Sequence, residues 1–174
     1  LDAITGHESW PEAILHRVQS YLAMGDLEKA QALIARIPAD CGLPHGVQSE
    51  LLEMLESLTT FVEESERWLD SGHLDNVVRH AVNFDNRYFQ SYHTMYFRGQ
   101  AHERAGNNEA ALHCYCLAVR LNPSDDVTYS MVHRLHEMVH QTPKTDLSAM
   151  RRRLNERFYE IPSVPCLLYT SPSP

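Results

Sequence analysis

The sequence predicts an all-α chain of stacked helix pairs, and three observations predict it. Three short turns recur, Met24-Gly25-Asp26-Leu27, Ser71-Gly72-His73-Leu74 and Ala105-Gly106-Asn107-Asn108, each between two stretches with apolar residues at helical spacing. Their glycines lie 47 and then 34 residues apart, and a 34-residue period belongs to helix-turn-helix repeats. Only 7 glycines in 174 residues leave little material for hairpin turns or Gly-rich phosphate loops.

The elements follow in order. The first pair, AILHRVQSYLAMGDLEKAQALIARIP, keeps Tyr21, Gly25, Ala30 and Ile34 at the places where one helix meets the other. It carries Val18 where a small residue would let the helices approach, which predicts looser packing there. A loop over 38–46 accounts for the 47-residue spacing, and an overlong helix is expected over about 47–69. The second pair, LTTFVEESERWLDSGHLDNVVRHAVNFDN, keeps Ser65, Trp68, Gly72, Leu74 and Ala81.

The third pair is the most regular. With Gly106 as the fifteenth position, the unit begins at Tyr92 and places small Gly99, Ala111 and Ala118 where helices cross. Tyr115 fills the space between them, and Pro123 ends the second helix. The stretch YHTMYFRGQAHERAGNNEAALHCYCLAVRLNPSD resembles a tetratricopeptide repeat at nearly every diagnostic place. That resemblance implies a right-handed superhelical stack. Repeats are expected at about 11–38, 58–86 and 92–125 within an array over 1–141. A capping helix over about 125–140 should close the stack, with Val127, Met131, Leu135 and Met138 as its core stripe.

A break at Gln141-Thr142-Pro143 is followed by a second expected helix, about 145–159, carrying Arg151, Arg152, Arg153 and Arg157. Its end, FYEIPSVP, is similar to the opening of a J domain of the DnaJ family, through Phe158, Tyr159, Ile161 and Val164. Repeats followed by a basic helix and a J domain describe the tetratricopeptide-containing DnaJ co-chaperones of subfamily C. The resemblance implies a DnaK-type heat-shock chaperone and its clients as partners. The chain holds no His-Pro dipeptide, the core of the J-domain loop that stimulates the chaperone. The span 144–165 thus reads as the start of such a domain, and CLLYTSPSP, 166–174, as a disordered or foreign tail. With Leu1 as its first residue, the sequence is expected to be the interior of a longer one.

Charge supports two modules. The chain has 15 Lys/Arg and 23 Asp/Glu, of which 144–174 hold five and three, so the acidity belongs to the array. Such a balance argues against nucleic-acid binding. No apolar run is long enough to span a membrane. The four cysteines, Cys41, Cys114, Cys116 and Cys166, form neither a zinc spacing nor a dense disulfide framework, and read as reduced thiols of the cytoplasm or nucleus.

No catalytic or cofactor constellation stands out. His133, His136 and His140 share a helical face, but no H-E-x-x-H accompanies them, and solvated or capping histidines are expected. His113, Cys114 and Cys116 lie where the repeat frame puts packing residues. Glu63-Glu64 and Asp125-Asp126 sit at a helix surface and a helix start, where solvent or the helix dipole satisfies them. Hence no metal, no cofactor and no enzyme activity are expected.

What remains is a binding groove lined by the first helix of each pair. The family frame assigns to it Glu12, Leu15, His16 and Gln19; then Thr59, Val62, Glu63 and Glu66; then His93, Tyr96, Phe97 and Gln100. None of the twelve is Lys or Asn, the residues with which some relatives clamp a chaperone's terminal carboxylate. Glu63 and Glu66 would repel an acidic peptide end and attract a basic one. The expected function is protein binding for a DnaJ-type co-chaperone; the alternative is a scaffold subunit of a larger assembly.

Overall fold

The computed structural model describes residues 10–37 and 46–140. Among them are seven helices and no strand: α1 (Trp10–Met24), α2 (Leu27–Ile34), α3 (Val47–Asp70), α4 (Leu74–Arg87), α5 (Tyr92–Arg104), α6 (Asn108–Leu121) and α7 (Asp126–His140). They form an all-α helical repeat stack. The expected basic helix, the J-domain residues Phe158, Tyr159, Ile161 and Val164, and the tail lie outside the described residues.

One turn is used three times. Gly25, Gly72 and Gly106 take φ of 80°, 77° and 77°, left-handed values that a side chain opposes. The residue after each glycine donates its amide to the carbonyl five residues back: Asp26 to Tyr21, His73 to Trp68 and Asn107 to His102, at 2.9, 2.8 and 2.8 Å. That residue also opens the next helix. The Asp26 side chain accepts from the Lys29 amide and Asn107 from the Ala110 amide. His73 stands at the same place in the second turn without a side-chain cap. The helices then bury stripes at helical spacing: Ile14, Val18 and Leu22 on α1; Val77, Ala81 and Phe84 on α4.

The third pair packs most closely. A Cβ added at Gly99 would stand 2.6 Å from Cε1 of Tyr115, whose ring is fully buried. The Tyr115 hydroxyl donates to Glu103 at 3.0 Å, and Arg134 of α7 pairs with the other oxygen of that carboxylate. In the first pair, Val18 at the equivalent of Gly99 is itself fully buried and joins the core with Ala30 and Ile34.

The first pair does not simply repeat the later ones. At its far end, Gln48 near the start of α3 donates to the Ile34 carbonyl at 3.3 Å. At its turn, His93 near the start of α5 bonds the Gly25 carbonyl at 3.0 Å. The middle of α3 lies beside α5, with Phe61 meeting Phe97 edge-on at 6.0 Å. The α1–α2 hairpin therefore reaches from the first turns of α3, which lengthen it to 24 residues, to the start of α5.

Of the expected core stripe of the last helix, Leu135 is buried and Met131 packs against the core, but the other two positions are corrected. Val127 and Met138 are 57% and 55% exposed, whereas Thr128, Tyr129, Val132 and Leu135 are buried. The rotation is set at the helix start. Asp125 accepts from the amides of Val127 and Thr128, and from the Thr128 and Tyr92 hydroxyls. That cap turns Thr128 and Tyr129 inward. A threonine and a tyrosine enter the core in the first turn in place of Val127.

Candidate functional site

The groove residues separate into open and closed sets. His16 on α1 and Glu63 and Glu66 on α3 are exposed; Gln19, Tyr96 and Gln100 are partly so. Phe97 is only 5% exposed and belongs to the core with Phe61, so it is not open to a ligand. His93 is half-buried, its ring bonded to the Gly25 carbonyl of the α1–α2 turn. Phe97 is therefore corrected, and His93 has one ring nitrogen already engaged. The repeat frame leaves the faces of first helices bare, but here the first hairpin folds across the start of α5.

Tyr96 stands in an aromatic row. It stacks on Tyr92 at 5.6 Å and 17° and meets Tyr115 at 6.0 Å. Burial raises its hydroxyl above the usual tyrosine range, while a hydrogen bond with Gln100 works against the rise. Burial likewise raises the hydroxyls of Tyr92 and Tyr115, and their carboxylate partners Asp125 and Glu103 add to it. These phenols stay protonated and act as donors. Asp125 is pushed up by burial, yet the hydrogen bonds of Thr128 and Tyr92 and two backbone amides together hold it below 3.8.

Burial lowers the His93 imidazole below 6.5, against smaller opposing effects of the Gly25 carbonyl and the Glu66 charge. The neutral ring donates Nε2–H to Gly25. A folded-state value below the unfolded one means that the unfolded chain takes up the proton first as pH falls. The contribution is whole above pH 6.5 and shrinks below it. Chemical denaturation of the wild type should therefore show stability falling from pH 7 to 5. His93→Gln, which keeps a donor but does not titrate, should flatten that fall. His102, lowered by burial and by Arg98, acts in the same direction, and Asp85, raised by burial, acts against it; both are common to the two proteins, so the difference between them reports His93. Equal slopes would refute the assignment.

Other polar groups hold the units together. Arg98 of α5 pairs with the mostly buried Asp85 of α4 at 3.3 Å. Burial raises the Asp85 carboxyl, while Thr94 and Arg98 pull it down. Arg104 donates to the Leu69 carbonyl, joining the ends of α5 and α3. Burial pushes both Cys114 and Cys116 up, so neither is a ready thiolate. His133 lies 3.8 Å from Glu137. Among the described residues, no three His, Cys, Asp or Glu side chains lie together as a metal site. Nor is any described helix long and apolar enough to cross a membrane.

The repeat-forming residues have structural places. Ala30, Ala111 and Ala118 are fully buried, and Trp68 rests on the His80 ring at 4.4 Å. Pro123 lies two residues beyond the end of α6. Sequence reasoning overlooked a groove between α3 and α4, of about 420 Å³, lined by Glu53, Glu56, Glu64, Phe61, Phe84, Arg87 and Tyr88 among others. Its α3 side is legible as Glu53, Glu56, Thr60 and Glu64 at spacings of three and four. Its α4 side, from His80 to Tyr88, comes from the next helix and its end.

No curated protein and no solved structure matches the chain. A family model does match: residues 92–125, which hold α5, α6 and the turn into α7, are a tetratricopeptide repeat.

Proposed function

We propose that the chain is a protein-binding module whose partners dock on the open part of the first-helix face. The matched repeat at 92–125, set in a seven-helix stack, carries this reading. The open residues define the ligand's chemistry. Glu63 and Glu66 favour a segment that is neutral or basic, and Tyr96 offers ring surface with Gln100 beside it as a hydrogen-bonding amide. The closed residues shorten the surface at the start of α5.

The finer reading makes the module the client- or chaperone-holding arm of a DnaJ-type co-chaperone, with a DnaK-type heat-shock protein as partner. It is supported by the basic stretch and by FYEIPSVP, both beyond the described residues. The unpaired Cys114 and Cys116 fit a reducing compartment, cytoplasm or nucleus.

Affinity capture with the full chain tests this. The co-chaperone reading expects DnaK-type chaperones or varied unfolded clients. Recovery of one stoichiometric assembly instead would mark a scaffold subunit and refute the co-chaperone role. Glu63→Lys with Glu66→Lys should change the captured set, because both residues are exposed and the change reverses the local charge. An unchanged set would move the interface off this face.

A further inference from the structure

The groove between α3 and α4 opens on another side of α3 from Glu63 and Glu66, roughly a third of a turn round the helix. Its floor is aromatic: Phe61 meets Phe84 at 6.4 Å, and Phe84 meets Tyr88 at 5.0 Å. Three carboxylates rim it, Glu53, Glu56 and Glu64, against one guanidinium, Arg87. Arg87 pairs with Glu53 and lies over the Tyr88 ring, 5.1 Å from its centroid. One end of the groove thus already holds a guanidinium between a carboxylate and a ring. Beyond Glu53, Glu56 and Glu64 follow along the rim at about one and three turns of α3 without a cation. Glu56 and Glu64 have no ion-pair partner among the described residues.

We propose that this groove binds an arginine-bearing segment of a protein partner, one guanidinium at Glu56 and another at Glu64, about two turns apart along α3, with their carbon stems on the aromatic floor. Charge complementarity selects a cation. The floor selects arginine over lysine, since a planar, weakly hydrated guanidinium lies on rings and pairs with carboxylates in a fixed fork. A bare metal ion is disfavoured, because no three carboxylates converge. The groove is a second surface: its binding stands or falls apart from that of the Glu63–Glu66 face.

The test is fluorescence anisotropy of the full chain with a labelled, end-capped peptide of alternating arginine and glycine, and with its lysine counterpart. The Glu63–Glu66 face also attracts basic segments, so each glutamate pair is neutralised separately to tell the two surfaces apart. The arginine peptide should bind saturably and more tightly than the lysine one. Glu56→Gln with Glu64→Gln should weaken it roughly tenfold or more, while Glu63→Gln with Glu66→Gln should change it less than about twofold. These are near-isosteric changes at helix-surface positions, and unchanged circular dichroism checks that the fold is kept. No saturable binding, equal binding of both peptides, or equal loss from the two glutamate pairs would each overturn the proposal.

Discussion

Tyr115→Ala should be among the most damaging single changes in the chain, lowering stability by about 3–5 kcal/mol as judged by denaturant midpoints. The ring is fully buried, and truncating it leaves a void between α5 and α6 that their backbones cannot close. The same change strips a donor from Glu103, which also faces Arg134 of α7. The reverse error is overpacking. Gly99→Ala would put Cβ 2.6 and 2.7 Å from two ring carbons of Tyr115, so the ring or a helix must move, at about 1–3 kcal/mol. Since both changes act on one contact, they should not add. Gly99→Ala combined with Tyr115→Leu should lose less than the two single losses together, by about 0.5 kcal/mol or more. Strict additivity would show that glycine at this place answers to something other than the Tyr115 ring.

That pair was legible in the sequence because backbone geometry leaves little choice. Two helices crossing closely need a small residue facing a large one, and Gly99 and Tyr115 stand at the spacing that provides it. The three glycine turns were legible for the same kind of reason. Side-chain fillings were less so. Thr128 and Tyr129 enter the core of α7 because Asp125 caps them from outside the stripe, and no apolar pattern announces a hydroxyl held in place by hydrogen bonds. Phe97 and His93 sat on the expected groove face, yet whether such a face is open depends on what folds across it. The 47-residue spacing signals an insertion, but not that the added turns of α3 serve as a platform for the first hairpin. The α3–α4 groove escaped notice because Arg87 and Tyr88, at the end of α4 and just beyond it, complete it.

The seat of that first hairpin is the central claim, because it decides how much of the first-helix face a partner can reach. Three chemically identical changes test it. Gly25→Ala, Gly72→Ala and Gly106→Ala each force a methyl group onto a left-handed turn, a cost of about 1–2 kcal/mol. At Gly72 and Gly106 nothing lies within 4 Å of the added atom, so the cost should end there. At Gly25 the atom would also stand 2.9 Å from both His93 Nε2 and Tyr92 Cδ1. His93 cannot swing away without giving up its bond to the Gly25 carbonyl. Tyr92 is held by Asp125. Gly25→Ala should therefore cost about 2–4 kcal/mol. The direct measurement is denaturant unfolding of the three variants beside the wild type. Gly25→Ala falling clearly below a matched pair of Gly72→Ala and Gly106→Ala would place the first turn on the start of α5. Three equal losses would contradict that contact, and with it the division of the face into open and covered parts.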